Sequence, residues 1–372
     1  WSAITTVVTM GGPILGGTLA DAGLWRYIFF INVPIGIIAL VILAFKVKES
    51  RDEDADKAVD IAGAISIALS LALLTFGFLR IPAVGFKSPQ VYLTLFSGVI
   101  LLLAFLVIEK KSKHPMMPLY LFANPVFTGV NLLTFFLYAG LGAGMLFLSL
   151  NLVQVQGYSQ LQSGLTFLPF TVLMITIARF SGTLADRYGP RLLLTIGPST
   201  AGTGLLLLSF VKQTAGPAEY WTTFFPGIIM FGLGMSFTVA PLTSTVMTSV
   251  SDHLSGTASG VNNALTRISN VFANAIFGAL AVLLFAGALQ DQLQSIPLDP
   301  NVKHSVINEA SNLGNAAVPK GVDVKYVNAI STGYRESFIN AYSGIMKISA
   351  GLGFLGALMT MIFIRNKTLK KE

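Results

Sequence analysis

Ten stretches of this chain are apolar for about the length of a bilayer crossing, and that pattern limits its fold more than any other feature. The runs lie near 1–20, 27–45, 59–80, 90–109, 125–153, 163–182, 191–212, 221–247, 257–288 and 337–364. A helix needs about 20 apolar residues to cross a hydrocarbon core of roughly 30 Å. Backbone amides in that core must be bonded within the protein, so runs of this length are expected to be helices. A transmembrane β-barrel would alternate apolar and polar residues over short segments, and these runs do not. Only 11% of the residues are charged, against about 25% in an ordinary soluble domain. The expected class is an all-α polytopic membrane protein.

Charge sets the expected orientation. A net charge of +7 would suggest nucleic acid for a soluble protein, but here the cations sit in the loops between spans. Loops 46–58, 110–124 and 183–190 and the C-terminal tail hold Lys46, Lys48, Arg51, Lys57, Lys110, Lys111, Lys113, Arg187, Arg365, Lys367, Lys370 and Lys371; Arg191, at a span edge, makes 13. The short loops of the other side hold Arg26, Arg80, Lys87 and Lys212, which makes 4. The positive-inside rule then puts the first set, and both ends of the chain, in the cytoplasm. No nucleic-acid partner is expected. There is no cysteine and no initiator Met, so disulfides are excluded. The chain opens inside a hydrophobic helix at Trp1, as a fragment of a longer protein would.

Three ordered motifs carry further information. The first is TMGGPILGGTLADAGLWRYIFFINVPIG, residues 9–36. Gly12, Gly16 and Gly17 smooth one helix for close approach by another, and Pro13 bends it by removing a backbone donor. The second is GTLADRYGPR, residues 182–191, a tight cytoplasmic turn. There Gly189 allows a left-handed conformation, Asp186 can cap or complement the positive end of the following helix, and Arg187 and Arg191 suit the headgroups. The third runs from Asn131 to Pro169 through NLVQVQGYSQLQSGLTFLP.

The first motif resembles the antiporter signature GPxxGG of the major facilitator superfamily, and WRYIFFINVPIG resembles the start of the sixth helix in its 14-helix drug:proton antiporters, the EmrB/QacA type. Residues 182–191 resemble that superfamily's loop signature GxLaDrxGrk, with Pro190 where a basic residue is usual. The third motif resembles the first two C-half helices of the same subfamily. The resemblance implies a major facilitator fold, the C-terminal ten of fourteen transmembrane helices, with the first four lacking. It divides the chain into 1–45, the last two helices of the N-terminal half; 46–58, a cytoplasmic linker; and 59–109, an extra two-helix pair expected to face lipid. After a cytoplasmic loop at 110–124 comes a C-terminal six-helix half at 125–364, with a long extracytoplasmic loop at 290–336 and a cytoplasmic tail at 365–372. Weak helical periodicity in that loop, at Val302, Val306, Ala310 and Leu313, suits a surface cap or a lid.

Polar residues inside the runs are candidates for the substrate path. Asn131, Thr134, Tyr138 and Met145 share one helix face, fit either to line a cavity or to bond a neighbouring helix. Asn263, Arg267, Asn270 and Asn274 are spaced 4, 3 and 4 apart and form one stripe. Arg267 sits about 15 Å along its helix. A bilayer-embedded arginine costs at least about 2.5–3.5 kcal/mol unless it is paired or faces water, so the stripe is expected to face the bundle interior and line the path, or else to lock the helix to a neighbour. Lys347 is a second intramembrane cation, either snorkelling outward or part of a site. Arg179 is an edge anchor.

No span carries a central carboxylate; Asp21, Asp60 and Glu109 come nearest to the membrane. The resemblance places the proton-binding acid in the first helices. The three histidines lie in separate loops, so no metal site is expected, and with no P-loop no nucleotide or other cofactor is expected. An intramembrane enzyme or a receptor lacks parts here, and no catalytic residue is assigned. The implied function is efflux of small amphipathic or cationic compounds from the cytoplasm in exchange for protons, across a bacterial inner membrane. The implied partners are a small-molecule substrate, protons and the lipid bilayer, with a periplasmic adaptor protein left open. Sibling transporters of siderophores, amino acids or lipids carry the same signatures.

Overall fold

A computed structural model describes residues 12, 14–46 and 60–364. Most of the first apolar run, Pro13, the linker from 47 to 59 and the tail from 365 lie outside the described residues. Among the described residues nine helices are long and apolar enough to cross a membrane: Tyr27–Lys46, Ile61–Ile81, Pro89–Lys111, Pro125–Gln154, Gln160–Tyr188, Pro190–Leu208, Pro217–Thr248, Asp252–Gln292 and Val324–Phe363. In chain order the elements are α1 (14–21), α2 (Tyr27–Phe30), α3 (Asn32–Lys46), α4 (Ile61–Val84), α5 (Pro89–Lys111), α6 (Pro125–Gln154) and α7 (Gln160–Leu165). There follow α8 (Leu168–Tyr188), α9 (Pro190–Leu208), α10 (Tyr220–Thr248), α11 (Ser255–Gln292), α12 (Pro300–Asn308) and α13 (Val324–Phe363).

Local signals set the helix ends. Asn124 caps α6 by accepting from the Val126 and Phe127 amides, with Pro125 in the first turn, where a missing N–H costs nothing. Ser159 and Gln162 form a reciprocal capping box at the start of α7. Asp299 and Asp323 cap α12 and α13.

The packed body is α6 with α8 to α13, and glycines hold it together. α9 lies between α10 and α13. A methyl group on Gly204 would stand 2.7 Å from the Gly227 carbonyl, and one on Gly197 would stand 2.9 Å from that of Gly234. On its other face, a methyl on Gly202 would stand 3.0 Å from the Ala350 carbonyl and one on Gly353 3.1 Å from Gly202 Cα. α6 meets α13 the same way, Gly140 against the Ser349 carbonyl. Helices in lipid gain little from excluding tails, so they associate through such backbone contact. Large side chains fill what remains: Phe127, Phe147, Phe224, Phe285, Phe338 and Tyr342 are fully buried.

The α4–α5 hairpin is held by paired knobs. Leu74 covers Gly98, Leu95 covers Gly77, and the Ser70 hydroxyl donates to the Gly98 carbonyl at 2.8 Å. It docks on α11 through Ile81 and Val91 against Ala279, with Phe78 edge-on to Phe272. Its other large apolar side chains, Leu69, Phe96 and Leu103 among them, are exposed.

Two stretches differ from the expected boundaries. The last helix begins at Val324, well before 337. Ile330, Tyr334, Phe338 and Tyr342 bury one face in steps of four, so the core-facing pattern runs past the apolar window that marks the membrane. The 290–336 segment carries α12 and a 3₁₀ stretch, Glu309–Asn315. Val306 and Ala310 are buried, Val302 and Leu313 pack against the core, and the Tyr334 hydroxyl donates to the Val306 carbonyl at 3.1 Å. The segment is docked on the core at these residues.

Candidate substrate path

The candidate path residues of α6 and α11 divide into two sets. Asn131 is buried, 2% exposed, and both polar atoms of its side chain are bonded. Its amide donates to the Phe127 carbonyl at 2.9 Å, and its oxygen accepts from Asn262 Nδ2 at 3.1 Å. The same Asn262 nitrogen lies 2.7 Å from the Thr134 hydroxyl. This is interhelix bonding, the second of the two roles considered for that face of α6. Asn270 is half-buried and donates to the Thr266 carbonyl at 2.9 Å. Its oxygen lies against Gly142, where a side chain would collide with it. Tyr138 is half-buried at the edge of the core.

Asn263 and Arg267 belong to the other set. Both are exposed, as is Asn274. Asn263 donates to the Ser259 carbonyl at 3.0 Å. Arg267 makes no ion pair among the described residues. At 100° per residue the stripe occupies an arc of about 60° on α11, roughly opposite the Phe272–Ala279 side that receives the α4–α5 hairpin. Among the described residues the stripe thus lies on an open face of the packed body. An unpaired guanidinium there requires water or a further partner. Lys347 is exposed, with its ammonium 5.9 Å from the centre of the Phe210 ring.

At the turn between α8 and α9, Gly189 adopts φ +84° and ψ 149°, open to glycine and strained for other residues. Arg191 Nη2 donates to the Met361 carbonyl at 2.9 Å, satisfying one of the last acceptors of α13; that bond ties two helices together, in addition to any headgroup role. Arg187 stacks over Tyr188, 5.4 Å from the ring centre. Asp186 is exposed and does not cap α9, whose N-cap position is Gly189 without a side-chain bond. It remains in the last turn of α8, out of register with the next helix start. A methyl on Gly182 would meet nothing within 4 Å.

In the GPxxGG stretch, Gly12 and Gly16 have no described residue within 4 Å of where a methyl would stand. Gly17 is different: a methyl there would lie 2.7 Å from the Gln160 carbonyl and 2.8 Å from Leu161 Cα. One turn later, the Asp21 carboxylate accepts from the Ser159 hydroxyl and from the Gln160 and Leu161 amides, each at 2.9 Å. These bonds, the Leu161 amide foremost, hold its carboxyl below the usual range. Sequence inspection sees Asp21 only as a span-edge acid; its partners lie some 140 residues away. A second unforeseen feature is Glu109, 2% exposed. One of its oxygens accepts from the Met117 amide at 3.1 Å; the other, and Asp60 Oδ2, have no donor among the described residues.

The model of the Major Facilitator Superfamily matches residues 1–274, and the chain belongs to that family. It is a multi-pass membrane transporter by family. It is 27% identical over 98% of its length to the tetracenomycin C resistance and export protein of Streptomyces glaucescens, covering 67% of that protein. It is 28% identical over 82% of its length to the multidrug resistance protein Stp of Mycobacterium tuberculosis, covering 56%. It is 25% identical over 96% of its length to multidrug resistance protein 3 of Bacillus subtilis, covering 70%. The chain thus spans between about half and about two thirds of the length of these relatives.

Proposed function

We propose that this chain forms part of an exporter of small amphipathic or cationic compounds, driven by proton exchange and working by alternating access. The relatives named for drug resistance and export support the substrate class, at modest identity. The observation that carries the reading is Arg267: an exposed guanidinium, without an ion pair among the described residues, on a polar stripe within a helix long enough to cross the membrane. Such a group is affordable where it faces a water-filled path. Asn263 and Arg267 line that path, Asn270 and Tyr138 border it, and Asn131 braces it through Asn262. The site would sit near the midplane, between halves that rock against each other.

In this reading the subfamily is the 14-helix EmrB/QacA type, and the α4–α5 hairpin is its extra pair between the halves. Gly12, Pro13, Gly16 and Gly17 control outer closure, and the turn Gly182–Arg191 controls the cytoplasmic side. The 13 to 4 distribution of basic residues puts both ends of the chain in the cytoplasm of a bacterial inner-membrane protein. A family member exporting another solute is the second reading, since cavity residues do not form a code.

The test is efflux from cells or inverted vesicles carrying the full-length protein, with and without an imposed proton gradient. Arg267→Ala is expected to lower export about tenfold, equivalent to ~1.4 kcal/mol of lost transition-state stabilisation, at an unchanged membrane level. Normal export by that variant would remove Arg267 from the path. Export indifferent to collapse of the gradient would remove the proton exchange.

A further inference from the structure

We propose that Asp21 is an extracytoplasmic latch, a carboxylate on the N-terminal segment that clamps the start of α7 and holds the outer end of the transport path closed. The purpose rests on the exporter reading above; the geometry does not.

The first amides of a helix have no intrahelical acceptor. In α7 they are divided between two side chains. Ser159 accepts from the Gln162 amide in its own capping box, while Asp21 takes the Gln160 and Leu161 amides and the Ser159 hydroxyl. The acceptor comes from a segment 138 to 140 residues away in sequence. Gly17 makes the approach possible. It lies one turn before Asp21 on the same face of α1, and its bare Cα lets the helix close onto the Gln160 carbonyl. By the charge distribution both α1 and α6 end on the extracytoplasmic side, so the contact bridges the two halves there. Rocking that opens the outer side must break all three bonds.

The groups facing Asp21 from α7 are neutral donors, and no charged neighbour contributes to its lowered carboxyl pKa. A lowered value means that the contact is present above the ordinary aspartate pKa of about 3.9 and is lost only as pH falls through the lower bound-state value. Across the range in which cells live, the latch stays charged. Asp21 is therefore a mechanical catch and not the acid that couples protons.

The chain has no cysteine, so spin labels at Ala22→Cys and Leu165→Cys would report the outer gap in full-length protein reconstituted in lipid. A short inter-label distance is expected to dominate at both pH 8 and pH 5. Asp21→Asn and Asp21→Ala are expected to lower that population about twofold to fivefold, the size a solvent-screened contact allows. Ser159→Ala, which removes one donor, should lower it less. An unchanged distance distribution in Asp21→Ala, with normal membrane insertion, would overturn the latch. Loss of the short distance in the parent between pH 8 and pH 5 would overturn its role as a pH-independent catch. Shifted distances in a protein that exports nothing would support the latch and sink the exporter reading alone.

Discussion

Two glycine-bearing helices, α9 and α1, use the same residue differently. In α9, Gly197 and Gly204 face backbone atoms of α10, and Gly202 faces those of α13. In α1, Gly17 meets the start of α7, while Gly16 and the preceding Gly12 meet nothing among the described residues. The two regions differ as much in burial. Half of the apolar window in Pro190–Leu208 is buried, and none of that in Tyr27–Lys46, the span that follows α1. Glycine spacing therefore signals a smooth helix face, but the partner that uses it has to be found by geometry. A helix with interlocked backbones should tolerate no added atoms, and one joined at a single catch should tolerate them nearly everywhere else.

The largest expected effect is at the α9–α10 seam. Gly234→Val would drive its side chain into the Ala201 amide and the Gly197 carbonyl. Overpacking of this kind costs about 3 kcal/mol, read as a large drop in the melting temperature of detergent-solubilised protein. A melting temperature equal to that of the parent would mean that the seam is looser than described. Asn262→Ala should come next, at about 1–2 kcal/mol, because it leaves the Asn131 oxygen and the Thr134 hydroxyl without their donor between α6 and α11. The smallest effect belongs to Gly16→Ala, within about 0.5 kcal/mol. A loss as large as that at Gly234 would break the contrast and place a closely packed helix against Gly16.

The helices were readable because length and apolarity select them. Long-range partners were not. Asn262 and Asn263 are adjacent in sequence and about 100° apart on α11, so one bonds α6 while the other faces outward. Spacing to Arg267, Asn270 and Asn274 selects Asn263, and nothing local says that Asn262 will meet Asn131. Asp21 shows the same limit: the motif around Ser159 is legible, but the acceptor of the Gln160 and Leu161 amides lies in another segment. α13 runs past its apolar window because Ile330 and Tyr334 are buried, Tyr334 bonded to the Val306 carbonyl, distant in sequence.

The measurement that bears most directly on the central claim is water access along α11. Asn263→Cys, Arg267→Cys and Asn270→Cys, made singly in the full-length protein, would be challenged with a charged, membrane-impermeant thiol reagent. Ile276→Cys and Leu283→Cys serve as controls, since both native side chains are exposed and lie on the opposite side of the helix. A water-filled transport path predicts rapid labelling at the three stripe positions, slowed by an exported compound, and little at the controls. Stripe positions as inert as the controls would contradict it.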